Sequence, residues 1–369
     1  MRIIYAIAII SGTIIGAGIF ALPYVTLQVG FWVILAYFLI LGSLVVLIHL
    51  FFGELSLKTP DFKRLPGFAK IYLGKQGQII AYISTIFGIF GALLAYLILG
   101  GGFLTELAKL YLPALGGNIL FYTLFYFFIG AFLIFYGIKA IEKVEFWGLI
   151  LFLVILFAVF FKGASFINID NLFIGRGQWS NLFLPYGVIL FSLWGAALIP
   201  EAEEMLGERK KMFSKIIPVT ILIPALVYLF FIYITLGITG VQTTEDALSG
   251  LTNVLGDRIV ALALLFGLLT TFTSFVALGL TLKKVFCYDL RLSKKLAWLI
   301  TCFIPLFLYL IGIQSFIAVI GVVGGIMLAV DGILILLMYK KIRPERVFLI
   351  YPLILVLLGG IIYSIIYYS

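Results

Sequence analysis

The sequence predicts an all-α polytopic membrane protein of about eleven transmembrane helices, and three observations carry that reading. Of the 369 residues, 64% are hydrophobic and only 11% charged, whereas a soluble domain carries about a quarter charged residues. The apolar stretches are continuous, which argues against a β-barrel, whose strands alternate apolar and polar residues. The basic residues stand in short loops between apolar runs, where they orient a membrane protein and do not form a nucleic-acid patch, despite a net charge of +9. At about 21 residues per span, eleven spans need about 231 residues, close to the apolar share of the chain.

Taken in order, spans of membrane length fall at about 3–29, 31–57, 77–107, 118–138, 144–165, 182–206, 213–240, 256–282, 294–313, 315–339 and 347–368. The amino terminus, Met1-Arg2-Ile3-Ile4, has neither a distinct charged region nor a small-residue cleavage site, so it reads as the start of the first span. With that terminus inside, 21 of the 25 Lys and Arg residues fall on the inner side, and Lys109, Lys162, Arg176 and Arg258 on the outer. This asymmetry places the amino terminus in the cytoplasm and the carboxyl terminus outside a cell membrane. The longer loops, 58–76 inside and 166–181 and 241–255 outside, are too short for a soluble domain. The whole chain is one transmembrane domain, and its chemistry belongs within the lipid. Cys287 and Cys302 have no metal-ligand spacing.

Two spans are interrupted. The first reads Ser11-Gly12-Thr13-Ile14-Ile15-Gly16-Ala17-Gly18-Ile19-Phe20-Ala21-Leu22-Pro23, and the sixth reads Ser192-Leu193-Trp194-Gly195-Ala196-Ala197-Leu198-Ile199-Pro200. In each a Gly precedes a Pro by five positions, a poor interior for a continuous helix. The two occupy equivalent places if residues 1–165 and 182–340 are two halves of five spans each. Because five is odd, the second half enters the bilayer inverted. Paired interrupted spans in such halves point to a transporter's midplane site. Backbone freed by a break is tolerated in lipid only where it is buried or lines a wet cavity. Freed amides at the start of a half-helix suit a carboxylate, and freed carbonyls suit an ammonium group or a small cation. The plainer alternative is close helix packing through Gly12 and Gly16, with a simple proline kink.

The stretch from Gly12 to Tyr24 resembles the first-span signature of the amino acid–polyamine–organocation superfamily, most nearly its aromatic amino acid (tryptophan/tyrosine) permease and amino acid/auxin permease branches. Phe191-Ser192-Leu193-Trp194-Gly195 with Ile199-Pro200 is similar to their broken sixth span. Thr273-Ser274-Phe275, Leu278-Gly279-Leu280 and Tyr288-Asp289 resemble the eighth. The resemblance implies the five-plus-five inverted-repeat fold typified by the bacterial leucine transporter, with span eleven added. It also implies secondary active transport, by alternating access, of a neutral amino acid, aromatic or other. Carried over by position, it puts the substrate carboxylate on amides near Gly16, Ala17 and Gly18. The amino group then meets carbonyls around Thr13 and Ile14 and from Phe191 through Ser192 and Leu193 to Trp194, beside Gly195. Phe191, Trp194 and span three near Gly88 to Leu93 would select the side chain.

Two driving ions remain open. Thr270, Thr273 and Ser274 share a helical face, and hard oxygens suit Na⁺. In sodium-coupled relatives such a site joins span-one carbonyls to span eight, which implies Ser11, Ile14, Thr270, Thr273 and Ser274. Alternatively these hydroxyls bond their own backbone. For a proton, intramembrane carboxylates are candidates: Asp331 in span ten first, then Glu201, with Glu203 and Glu204 read as capping or surface-pairing groups. Glu54 and Lys58 have the spacing of a helical ion pair, and His49 reads as a hydrogen-bonded packing residue.

No cofactor is implied beyond a coupling Na⁺ or H⁺, and the partners are a small amino acid and membrane lipid. Proton-coupled or exchange-mode transport of another small amine, and an ion channel, are the alternatives. A channel lacks the repeated polar lining it would need. Neither a metalloprotease HExxH nor a nucleophile elbow is present for an enzyme, and no P-loop for a nucleotide-driven pump. The particular amino acid and the oligomeric state are left open by these residues.

Overall fold

In the computed structural model of the chain, residues 2–59, 63–113, 117–137, 141–175, 181–206 and 212–368 are described. Among them every regular element is helical: α1 (Arg2–Ile14), α2 (Gly18–Val29), α3 (Phe31–Lys58), α4 (Leu65–Tyr111), α5 (Ile119–Tyr136), α6 (Ile141–Gly163), α7 (Leu184–Leu193), α8 (Ile199–Leu206), α9 (Phe213–Thr239), α10 (Asp257–Lys284), α11 (Lys294–Leu310), α12 (Phe316–Val322), α13 (Ala329–Ile342) and α14 (Val347–Tyr368). Seven helical stretches are long and apolar enough to cross a bilayer unaided. Taking α1 with α2, α7 with α8, and α12 with α13 as composite spans, the chain makes eleven passes in the order the hydropathy predicts.

The departures are local and have physical causes. Residues 58–76 were expected to form an inner loop, but a helix begins at Leu65. Pro66 suits a first helical turn, and Phe68 and Ala69 are buried, with Phe68 packed edge-on to Phe52 at 5.2 Å. This short amphipathic piece meets span three at Gly74, whose φ of 74° is open to glycine and costly for other residues. Span ten is not a plain α-helix either. Between α12 and α13 it passes through a π-helical turn, Val323–Leu328, and such turns often sit at functional sites.

The composite helices α1–α2 and α7–α8 lie inside the bundle, where α9 packs against α1 and α2, α3 against α7 and α8, and α4 against α10 and α13. Small residues bring span six against span ten: a Cβ on Gly324 would lie 1.9 Å from the Gly187 carbonyl oxygen. Large apolar side chains such as Trp32 (67% exposed), Phe348 (78%) and Ile366 (71%) cover the periphery, as a lipid-facing surface requires. At one end of the bundle Glu54 of α3 takes hydrogen bonds from Tyr339 (2.6 Å) and Arg343 (2.7 Å) of span ten, and Lys58 stands 3.3 Å away as its spacing predicts.

Candidate substrate site at the two broken helices

The composite spans α1–α2 and α7–α8 are broken where glycine and proline foretell it. α1 ends at Ile14, and α2 starts again at Gly18. In between, Ile15 N–H donates to Ser11 O at 2.9 Å and Gly16 N–H to Ile14 O at 2.7 Å. α7 ends at Leu193, Trp194 is extended (φ −79°, ψ 120°), and a 3₁₀ turn, Ala196–Leu198, leads into α8. The two prolines act differently. Pro200 sits in the first turn of α8, where its missing N–H costs nothing, whereas Pro23 lies well inside α2.

Glycine serves these breaks by its lack of a side chain more than by its backbone freedom, since neither Gly16, Gly18 nor Gly195 has a positive φ. A Cβ on Gly18 would lie 2.3 Å from Ser192 Oγ, and one on Gly195 would lie 2.8 Å from Ile14 Cδ1. The two unwound segments therefore cross in contact, each glycine admitting a residue of the other break. Gly16 is different. Its Cβ would meet only ordinary contacts at 3.5 Å, Thr13 O and the hydroxyl of Tyr96 on α4.

A cavity of about 700 Å³ opens beside the crossing. Of the residues expected at a substrate site, Thr13, Ile14, Gly16, Ala17, Gly18, Phe191, Trp194 and Gly195 line it. Ser192 and Leu193 do not: Ser192 Oγ donates to Val188 O at 2.7 Å, and Leu193 is fully buried. Gly88, Ile89, Ala92 and Tyr96 of span three form another wall. The amides of Ala17 and Gly18 open the first turn of α2, where backbone donors have no intrahelical acceptor and the helix dipole favours an anion. From this level the cavity runs past the buried Pro66 to Arg64 and Asp289, whose exposure marks its open end.

The candidate ion ligands divide. Thr270, Thr273 and Ser274 line the cavity together, and the Thr273 hydroxyl donates to Thr270 O at 3.1 Å. Ser11 is buried; its carbonyl, the group expected at the ion site, accepts Ile15 N–H at 2.9 Å, and its hydroxyl is directed at Thr220 O of α9, 3.3 Å off. Asp331, 7% exposed, is on the cavity wall and accepts a hydrogen bond from Ser84 Oγ of α4 at 2.5 Å. Ser56 Oγ bonds the Glu203 carboxylate. The side chains of Glu201 and Glu204 lie outside the described residues.

Two further groups complete the breaks: His49, the hydrogen-bonded packing residue the sequence suggests, and Tyr228, which the sequence does not single out. His49 is fully buried on α3. Its Nδ1–H donates to Val45 O at 2.6 Å, which leaves Nε2 to accept the Gly195 N–H at 3.0 Å. Its ring meets the Trp194 indole edge-on at 5.3 Å. Tyr228 of α9 donates its hydroxyl to Ile14 O and to Ser192 O, the latter at 2.8 Å. The sequence does not mark these contacts with the breaks, since Gly195, Ile14 and Ser192 lie 36 to 214 residues from the side chains that meet them.

The profile of the tryptophan/tyrosine permease family matches residues 1–367. The chain belongs to that family. This permease is accordingly an amino acid transporter and not an enzyme. It is 26% identical over 343 residues to the tyrosine-specific transport system 1 of Haemophilus influenzae, covering 86% of the chain and 82% of that relative. Among solved structures the permease resembles the inward-facing conformation of Mhp1 (TM-score 0.70, 12% identity, 100% of this chain and 89% of that one). It also resembles Mhp1, a nucleobase-cation-symport-1 family transporter, in a closed conformation with bromovinylhydantoin bound (0.65, 15%, 93% and 79%). MhsT in complex with L-phenylalanine is a further likeness (0.58, 17%, 97% and 98%). The permease thus has the leucine-transporter-type fold of five plus five inverted helices with an eleventh appended, and it is a multi-pass membrane protein.

Proposed function

We propose that this permease moves an aromatic amino acid across the cell membrane by ion-coupled symport, with alternating access around the crossed breaks. The observation that carries the reading is the placement of free amides at the start of α2 beside Phe191 and Trp194 in one cavity. Such amides suit a carboxylate, and the two rings suit an apolar or aromatic side chain. The relative from Haemophilus influenzae, named for tyrosine transport, supports that substrate class. The repeats run over 1–165 and 182–340. The cavity mouth at Arg64 and Asp289 lies at the end of the bundle that carries the basic loops, so by the positive-inside rule the site opens to the cytoplasm, with the amino terminus on that side.

Asp331 supports H⁺ as the driving ion. It is a buried carboxylate on the cavity wall with a neutral hydroxyl partner, Ser84, and carboxylates at membrane depth serve proton relays. Na⁺ on the α10 hydroxyls is the second reading, supported by three oxygen-bearing residues on one cavity face. The deciding experiment is uptake of labelled tyrosine, tryptophan and phenylalanine into proteoliposomes under separately imposed pH and Na⁺ gradients. Saturable uptake of at least one, driven by an inward proton gradient, is expected. Uptake of none, or uptake indifferent to both gradients, overturns the proposal.

A further inference from the structure

We propose that Tyr228 is the positioning residue of the substrate site, its one hydroxyl tying the ends of both broken helices to α9. The inference rests on the amino acid reading above for its substrate, and on the geometry alone for its mechanics. Ile14 O and Ser192 O are among the last carbonyls of α1 and α7, which have no partner within their own helices. Unpaired carbonyls in a membrane interior cost several kcal/mol each. Both converge on a single hydroxyl from a third helix, and that side chain is fully buried behind the breaks, its ring 6.3 Å from Phe38.

Two consequences follow. A carbonyl oxygen has two lone pairs, and those of Ile14 are already met by Gly16 N–H and Tyr228. The ammonium of a substrate is therefore directed away from Ile14 and towards carbonyls that no side chain occupies, with Thr13 at the cavity surface the nearest in sequence. Second, because one proton is shared between acceptors from opposite halves of the molecule, the α2 amides and the Phe191–Trp194 wall stay in register. The two breaks then move as a unit about α9 when the half-helices tilt.

Tyr228→Phe keeps the ring and removes the donor. In proteoliposomes it should raise KM for the transported aromatic amino acid on the order of tenfold, the effect of about 1.4 kcal/mol, with a smaller change in kcat. Phe38→Leu disturbs the packing of the same ring without touching the hydroxyl, and should leave KM within twofold of wild type. The mechanics are read separately, without substrate, from spin labels at Ile3 on α1 and at the exposed Phe183 preceding α7 in a background lacking Cys287 and Cys302. A narrow distance distribution is expected, broadened by Tyr228→Phe. An unchanged KM, an equal rise in Phe38→Leu, an unchanged distance distribution, or a Tyr228→Phe protein that fails to fold while Phe38→Leu folds would each overturn the positioning role. If wild-type vesicles take up no aromatic amino acid, the substrate reading falls, and the distance measurement still decides what the hydroxyl does.

Discussion

Gly18 and Ser192 are in contact across the middle of the molecule, so closely that a methyl group on Gly18 would lie 2.3 Å from the serine oxygen and 2.8 Å from its Cα. The crossing of the two broken helices is set by this approach. It separates glycines that the packing requires from glycines that the ligand space requires.

Gly18→Ala should therefore destabilise the whole protein. The clash includes backbone, which cannot swing aside, and overpacking of this kind costs about 1–3 kcal/mol or more. Gly16→Ala meets nothing closer than 3.5 Å and should fold normally. Its methyl points at Tyr96 in the cavity, so it should weaken substrate binding. Thermal unfolding in detergent and uptake assays on both variants check the contrast, and equal stability of the two would refute it.

His49→Phe removes the acceptor for the Gly195 amide and leaves that donor buried and unpaired. A loss of about 1–3 kcal/mol is expected, together with a changed Trp194 environment. His49→Gln carries an amide oxygen that can accept the same N–H and should recover part of the loss. Denaturation midpoints and tryptophan fluorescence of the two variants provide the check.

Asp331→Asn preserves size and the hydrogen bond from Ser84 but cannot release a proton. Uptake driven by a pH gradient should vanish while equilibrium binding of the substrate persists. Pumping that survives the substitution would remove Asp331 from the coupling mechanism.

Thr273→Ala combined with Ser274→Ala removes the two α10 hydroxyls expected to hold Na⁺. If the proton drives transport, the double variant retains more than half of wild-type uptake under a pH gradient, and an added Na⁺ gradient stimulates neither protein. Sodium stimulation of wild type that disappears in the double variant would instead establish Na⁺ as the driver.

Much of the site was legible before any coordinates, because glycine and proline leave a chemical trace in a hydrophobic run. The breaks at Ile15–Ala17 and Trp194–Gly195 fall where those residues cluster, and Asp331 stood out as a charge in lipid. What the sequence did not show is why Gly18 and Gly195 are glycine: no φ at the break glycines is positive, and at these two positions closeness to the other break excludes a Cβ. The helix from Leu65 to Gly74 was hidden because Lys63, Arg64, Lys70 and Lys75 give it the charge of a loop.

By itself, then, the sequence determined the class of protein, the number of passes and the position of each break, since these follow from local cost: apolar length against bilayer thickness, and helix propensity against glycine and proline. Only the tertiary structure decided which groups complete the breaks. Tyr228, His49 and Ser84 satisfy backbone or carboxylate groups on helices 36 to 247 residues away. Nothing in the spacing of residues along one helix records which face of another helix will meet it, because that choice is made by the packing of the whole bundle.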